Sequence, residues 1–119
     1  MQYAKFKNKY YKDIKTTSKE LLSLIYSIMI YENYQKPSVI RFLDKYKSKF
    51  KQKESKYGIM QIQSKEYIDD ITSIKLATKK LEKIYKTTTN IPKVIESYYN
   101  NENKEIVSIY NEIIEFNKK

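Results

Sequence analysis

The sequence predicts an all-α fold, on three observations. Apolar residues recur at three- and four-residue spacing through most of the chain, which puts them on one face of a helix. The segments are separated by helix-start chemistry rather than by strand alternation. No internal repeat and no convincing strand pair is visible. A chain of 119 residues holds one modest core. Its 32% charged and 40% hydrophobic composition is polar for a globular protein, so disorder has to be weighed. The 13 tyrosines and 4 phenylalanines, with the helical spacing, decide against disorder. The organisation expected is a basic N-terminal arm or helix over 1–16 and a single helical domain over 17–119.

The elements follow in order. Residues 3–15 read as a short basic helix or arm. Thr17-Ser-Lys-Glu20 is a capping-box pattern, a hydroxyl capping the turn while Glu20 reaches back. It opens the most apolar segment of the chain, where Leu21, Leu24, Ile25, Ile28 and Met29 share one face, so this is the expected central helix. Pro37 suits the first turn of a third helix, because its missing N–H would be unpaired there in any case. Val39, Leu43, Tyr46 and Phe50 form that helix's expected stripe. Residues 51–57 are a polar connection ended by Gly58. A long helix is expected over 65–87, its apolar face holding Tyr67, Ile71, Ile74, Thr78, Leu81 and Tyr85. Asn90 caps, and Pro92 begins, a short helix with Val94, Ile95, Tyr98 and Tyr99. After the Asn-rich YNNEN run, a last helix over 103–116 is expected to bury Ile106, Ile109, Ile113 and Phe116.

Charge and missing residue types bound the chemistry. The net charge is +10, and Arg41 is the sole arginine among 24 basic residues. Such a field attracts polyanions: nucleic acid, acidic lipid or anionic wall polymer. Lysine lacks the planar fork that reads a guanine edge, which weighs against sequence-specific DNA recognition. With no Cys and no His, disulfides, thiol nucleophiles, Ser-His-Asp triads and nearly all zinc sites are excluded. No metal and no cofactor is expected. No apolar run is long enough for a membrane span. The basic N-terminus has no apolar h-region, so no signal peptide is expected; action at the cell wall would follow cytoplasmic synthesis by another export route or by lysis.

One carboxylate is out of place. The series 21, 25, 28 reaches Glu32, which continues the apolar face at the C-terminal end of the most hydrophobic helix. Burial there would raise its pKa, and the partial negative charge of the helix end pushes the same way. A carboxylic acid protonated near neutral pH is what a general acid must be. The alternative is that Glu32 marks where the helix meets water. Gly58, the single glycine, permits positive φ and close approach to the backbone; a plain turn between helices is the other reading.

The order of parts resembles the lysozyme-like superfamily, in particular soluble lytic transglycosylases and goose-type lysozymes. The matching pieces are IMIYEN (28–33), GIMQI (58–62), DITSIKLATKKLEKIYK (70–86) and SYYN (97–100). The resemblance implies a small lysozyme-like helical domain with an extended loop at GIMQI. It also implies cleavage of the β-1,4 bond between N-acetylmuramic acid and N-acetylglucosamine. Glu32 would be the catalytic acid and base. Gly58, Met60 and Gln61 would belong to the sugar-binding cleft, Tyr99 would stand beside the acid, and Asn100 would support that wall. Asn33 occupies the position where the family usually carries Ser and joins the substrate-binding set. Glu54-Ser55 reproduces the family's Glu-Ser pair literally. It lies only three residues from Gly58, however, with no apolar helix to bury the acid, and Glu32 is preferred. Asp69 and Asp70 are candidates for a second acid but equally suit a helix's first turn. Arg41 is expected to pair at i, i+3 with Asp44 rather than with Glu32.

The partners implied are peptidoglycan glycan strands and other anionic polymers, met by a monomer. The competing reading is a non-enzymatic basic helical protein. It would bind nucleic acid through phosphate contacts or, as a phage or plasmid interaction protein, a partner through an exposed aromatic face.

Overall fold

The computed structural model describes residues 2–16, 18–47 and 55–118, with the backbone alone for 44–47. Six α-helices and one small hairpin make up the described chain: α1 Gln2–Tyr10, α2 Lys19–Gln35, α3 Ser38–Lys47, β1 Ser55–Tyr57, β2 Ile62–Ser64, α4 Asp70–Thr87, α5 Ile91–Tyr99 and α6 Lys104–Asn117. The fold is all-α in class, as its apolar spacing predicts. No helix among the described residues is long and apolar enough to cross a membrane.

Four of the helices start at residues whose side chains cap them. Ser18 accepts from the Leu21 N–H, Asp69 from Thr72, Asn90 from Lys93 and Asn103 from Ile106, at 2.8–3.2 Å. Each satisfies an amide that the first helical turn leaves without a partner. The cap of α2 is Ser18, one residue after the expected Thr17, which lies outside the described residues. The Glu20 Oε2 accepts from the Tyr85 hydroxyl at 2.9 Å. Helix α5 ends at Asn100, whose φ of 58° is the left-handed turn that closes a helix, and the Asn101 N–H then reaches the Glu96 carbonyl.

Helix α2 is the hub. Leu24, Ile25, Ile28 and Met29 have no exposed surface, and α1, α4 and α6 all pack on it. The N-terminal segment is a helix integrated into this core: Tyr3, Phe6 and Tyr10 are buried, and the Tyr3 ring meets Tyr26 edge-on at 5.5 Å. Two small buried hydroxyls are satisfied within their own helices, Ser27 donating to the Ser23 carbonyl and Thr78 to that of Ile74.

The structure departs from the sequence expectations at four places. Residues 55–64 form an antiparallel hairpin pairing Ser55 with Ser64 and Tyr57 with Ile62, where no strand pair was expected and an extended loop was. Three-residue strands are too short for alternation to be read. Helix α4 begins at Asp70 rather than 65, and Tyr67 lies before it, packing its ring on Tyr57 at 5.7 Å. The expected stripe of α3 faces water: Val39 and Leu43 are exposed, while Tyr46 and Phe50 lie outside the described side chains. Phe116 is also half-exposed, at 49%: it meets the Tyr3 ring edge-on at 5.7 Å at the rim of the core, while α6 buries Ile106 and Ile113.

Arg41 is the reason for the inversion of α3. It is buried, and its guanidinium bonds Asp70 with Nε and Nη2, and Asn33 and the Lys36 carbonyl with Nη1. Among the described residues the partner of Arg41 is Asp70, which offers a geometry that Arg's fork engages with two nitrogens. The Asp44 side chain lies outside the described residues.

Candidate active site

The apolar series on α2 carries Glu32 into the molecule. Its residue is 8% exposed, and burial raises its carboxyl from 4.5 to about 7, against the opposing pull of the Lys56 charge. The face that buries Leu21, Ile25 and Ile28 therefore ends in an acid that titrates near neutral pH, with acid and carboxylate both populated there.

Glu32 lines a groove of about 400 Å³ together with Met60, Gln61, Tyr98, Tyr99 and Asn100. Five of the residues singled out in the sequence, drawn from three separated segments, thus come together. The hairpin forms one wall and the end of α5 the other. Lys56, Ile62 and Gln63 extend the first wall, and Leu76 and Lys80 on α4 line the groove as well.

The hairpin turn explains the single glycine. Gly58 has φ +75°, and a Cβ there would collide with the Ser73 side chain and the Asp69 carbonyl. Both the conformation and the close approach require glycine. Ser73 fastens the turn: its Oγ accepts from the Met60 N–H at 3.2 Å and donates to the Asp70 carbonyl at 2.8 Å. Gln61 also has positive φ, 52°, and its Nε2 donates to the Gly58 carbonyl at 2.8 Å, which holds the carboxamide over the turn. Met60 is 1% exposed, so it is chiefly a core residue whose edge reaches the groove.

On the opposite wall the Tyr98 and Tyr99 rings meet edge-to-face at 5.0 Å, and the Lys80 ammonium stands 4.8 Å from the Tyr98 ring centroid. The Tyr99 hydroxyl is buried without a hydrogen-bond partner among the described residues. Burial, then the neighbouring Glu32 carboxylate, push its pKa above the ordinary value, and the same two causes raise Tyr98.

Two of the expected site residues lie elsewhere. Gly58 packs against α4 beneath the turn, and the Asn33 carboxamide accepts from Arg41 at 2.7 Å. Neither lines the groove. Among the described residues Glu32 is the only carboxylate that does. Asp69 is occupied as a cap, its carboxyl held below the ordinary value by the Thr72 N–H, and Asp70 is engaged by Arg41 and by the Tyr10 hydroxyl. Glu54 lies outside the described residues. No cluster of three or more Asp or Glu side chains suited to a metal ion occurs among the described residues.

Sequence reasoning missed Lys56, Leu76, Lys80 and Tyr98 as groove residues. Lys56 is two positions from Gly58, and Leu76 and Lys80 are one turn apart on α4, a spacing that becomes informative only once α4 is known to face the hairpin. A larger hollow of about 840 Å³ lies between α6 and the start of α1. Its carboxylates, Glu112 and Glu115, are exposed, so it offers no buried acid. Comparison with protein-family models, with curated proteins and with solved structures finds no match.

Proposed function

We propose that this protein cleaves peptidoglycan glycan strands at the β-1,4 bond between N-acetylmuramic acid and N-acetylglucosamine, with Glu32 as the catalytic acid. The observation that carries this reading is one carboxyl, raised by burial to about 7, facing a groove walled by Gln61 on one side and Tyr99 on the other.

The chemistry suits a single carboxyl. Many glycosidases flank the bond with two carboxylates, but substrate-assisted enzymes use a group on the sugar in place of the second. The Glu32 carboxyl donates its proton to the glycosidic oxygen as the C1–O bond breaks. The muramic acetamido oxygen closes onto C1 and takes up the developing positive charge. Glu32, now a carboxylate, removes a proton from the 6-hydroxyl, whose oxygen attacks C1 and displaces the acetamido oxygen, leaving a 1,6-anhydro end. If a water is deprotonated instead, the product is an ordinary reducing end. Proton donation followed by removal needs a pKa near the working pH, which burial of Glu32 supplies.

The walls support the same reading. Tyr99 and Leu76 offer apolar surface to sugar faces. Lys56 and Lys80 put positive charge on the groove lining, which suits the lactyl and peptide carboxylates of the wall polymer. Tyr98, Tyr99 and Met60 line a concavity, which weighs against their serving as an outward-facing aromatic interaction patch.

The test is mass analysis of soluble products from purified sacculi. Wild-type protein should release muropeptides ending in anhydro-muramic acid or in a reducing end, and Glu32→Gln should release none. Equal release by both, or no release by the wild type, would refute the assignment.

A further inference from the structure

Two lysines line the groove beside Glu32, and the structure holds both in place. Lys80 stands on α4 one turn after Leu76, so the two share a face of that helix. Its ammonium lies 4.8 Å from the centroid of the Tyr98 ring. That ring is itself buried and braced by Tyr99, edge to face at 5.0 Å. A cation settled on an aromatic face has given up part of its rotamer freedom before any ligand arrives. Lys56 stands on the hairpin wall, paired with Gln63 across the two strands. Its carbonyl accepts from the Lys36 Nζ at 2.8 Å, and Lys36 is the residue that ends α2. The strand that carries Lys56 is thereby tied to the helix that carries Glu32. Among the described residues neither ammonium forms an ion pair with a carboxylate.

We infer that Lys80 and Lys56 form a carboxylate-reading subsite, so that the groove selects glycan strands bearing a carboxylate over neutral strands of the same backbone; this rests on the function proposed above. The sparseness of the charge selects the occupant. A nucleic acid brings a phosphate at every unit and is met by a track of cations. Only two cations line this groove among the described residues, one on the hairpin and one on α4, with the carboxamides of Gln61 and Asn100 beside them. A muramic residue brings its lactyl carboxyl once per disaccharide, either free or continued as a peptide with carboxylates of its own. Bonds from an ammonium to such a group are charge-assisted and stronger than those to a sugar hydroxyl. Chitin has the same β-1,4 backbone without that carboxyl. It would displace water from both ammoniums and put no counter-charge in its place, which is how a polar site rejects an analogue that lacks the expected group.

The test is titration calorimetry on the full chain carrying Glu32→Gln, so that binding is read without cleavage. Three tetrasaccharides are compared: chitin, an alternating N-acetylglucosamine and N-acetylmuramic acid glycan with free lactyl carboxylates, and the same glycan carrying stem peptides. At least one of the two carboxylate-bearing glycans should bind about tenfold more tightly than chitin. The advantage should shrink as salt rises to about 0.5 M. Tighter binding of the peptide-free glycan assigns the reading to the lactyl carboxylate, and tighter binding of the other assigns it to the peptide; either supports the inference. Lys80→Met and Lys56→Met should each cut the advantage by about threefold and together remove it, with chitin binding held within about twofold. Lys80→Arg should retain it. Both lysines are exposed, so thermal unfolding should not change. Equal binding of all three glycans, or a double variant that keeps the preference, would overturn the inference and leave the cleavage reading standing. Binding of no glycan, or of a single-stranded oligonucleotide in its place, would overturn both.

Discussion

The guanidinium of Arg41 meets the carboxylate of Asp70 with two nitrogens, Nε 3.1 Å from Oδ1 and Nη2 3.3 Å from Oδ2. The pair joins α3 to the first turn of α4, across 29 residues of sequence. Because Asp70 also accepts from the Tyr10 hydroxyl at 3.1 Å, it ties in the N-terminal helix as well. Asp70→Ala should cost about 2 to 3 kcal/mol in urea unfolding, since it leaves the Arg41 charge buried without its counter-ion. Arg41→Lys should lose most of the same amount, because an ammonium cannot reproduce the fork. A double-mutant cycle with Asp70→Ala should give a coupling well above that of a surface ion pair.

Gly58→Ala tests the turn beneath the groove. The left-handed φ costs a non-glycine residue about 1 to 2 kcal/mol, and the collision with Ser73 and the Asp69 carbonyl adds about 1 to 3 kcal/mol of overpacking. The sum should appear as a loss of several kcal/mol in denaturant unfolding, with any release of muropeptides falling in parallel.

Glu32 makes a pH-dependent contribution whose sign follows from its cause. Burial raises the folded-state pKa above the ordinary carboxyl value, so its stabilisation is fully present below about pH 4.5 and is lost as pH rises through about 7. Wild-type stability should therefore fall by roughly 3 kcal/mol across that window relative to Glu32→Gln. The variant should be at least as stable as wild type at pH 8. On the proposed function, cleavage by wild type should decline above about pH 7 as the acid deprotonates. Parallel unfolding curves at pH 5 and pH 8 check the first point, and rates on sacculi the second.

Tyr99→Phe separates folding from function at one atom. The hydroxyl is buried with no partner among the described residues, so its removal should leave the fold unchanged or more stable by about 1 kcal/mol. If that hydroxyl is kept to bond substrate, the variant should lose cleavage while gaining thermal stability. A variant that keeps full cleavage would assign Tyr99 to the wall alone.

How far the site could be read from the sequence depended on the distance over which each signal acts. The series 21, 25, 28, 32 needs only one helix, and it led to a buried acid. The cap at Asn90 acts over three residues and was legible; the glycine at 58 was expected in the cleft but packs beneath the turn against Ser73 and Asp69, 15 and 11 positions away. Arg41 was misassigned because its partner lies 29 positions away, beyond any helical spacing. The stripe of α3 was misread for the same reason: periodicity reports which residues share a face, and only Asp70 and Asn33 decide which way that face turns. Lys80 and Leu76 stayed hidden until α4 was seen beside the hairpin.

Ser73 gives the groove a mechanical dependence on its neighbour. One hydroxyl holds the hairpin's Met60 amide and the first carbonyl of α4 at once, and the glycine beneath leaves no slack between them. The wall that carries Gln61 therefore cannot breathe on its own; its openings are those of the α4 N-terminus, and the two should exchange their amide protons as a single cooperative unit.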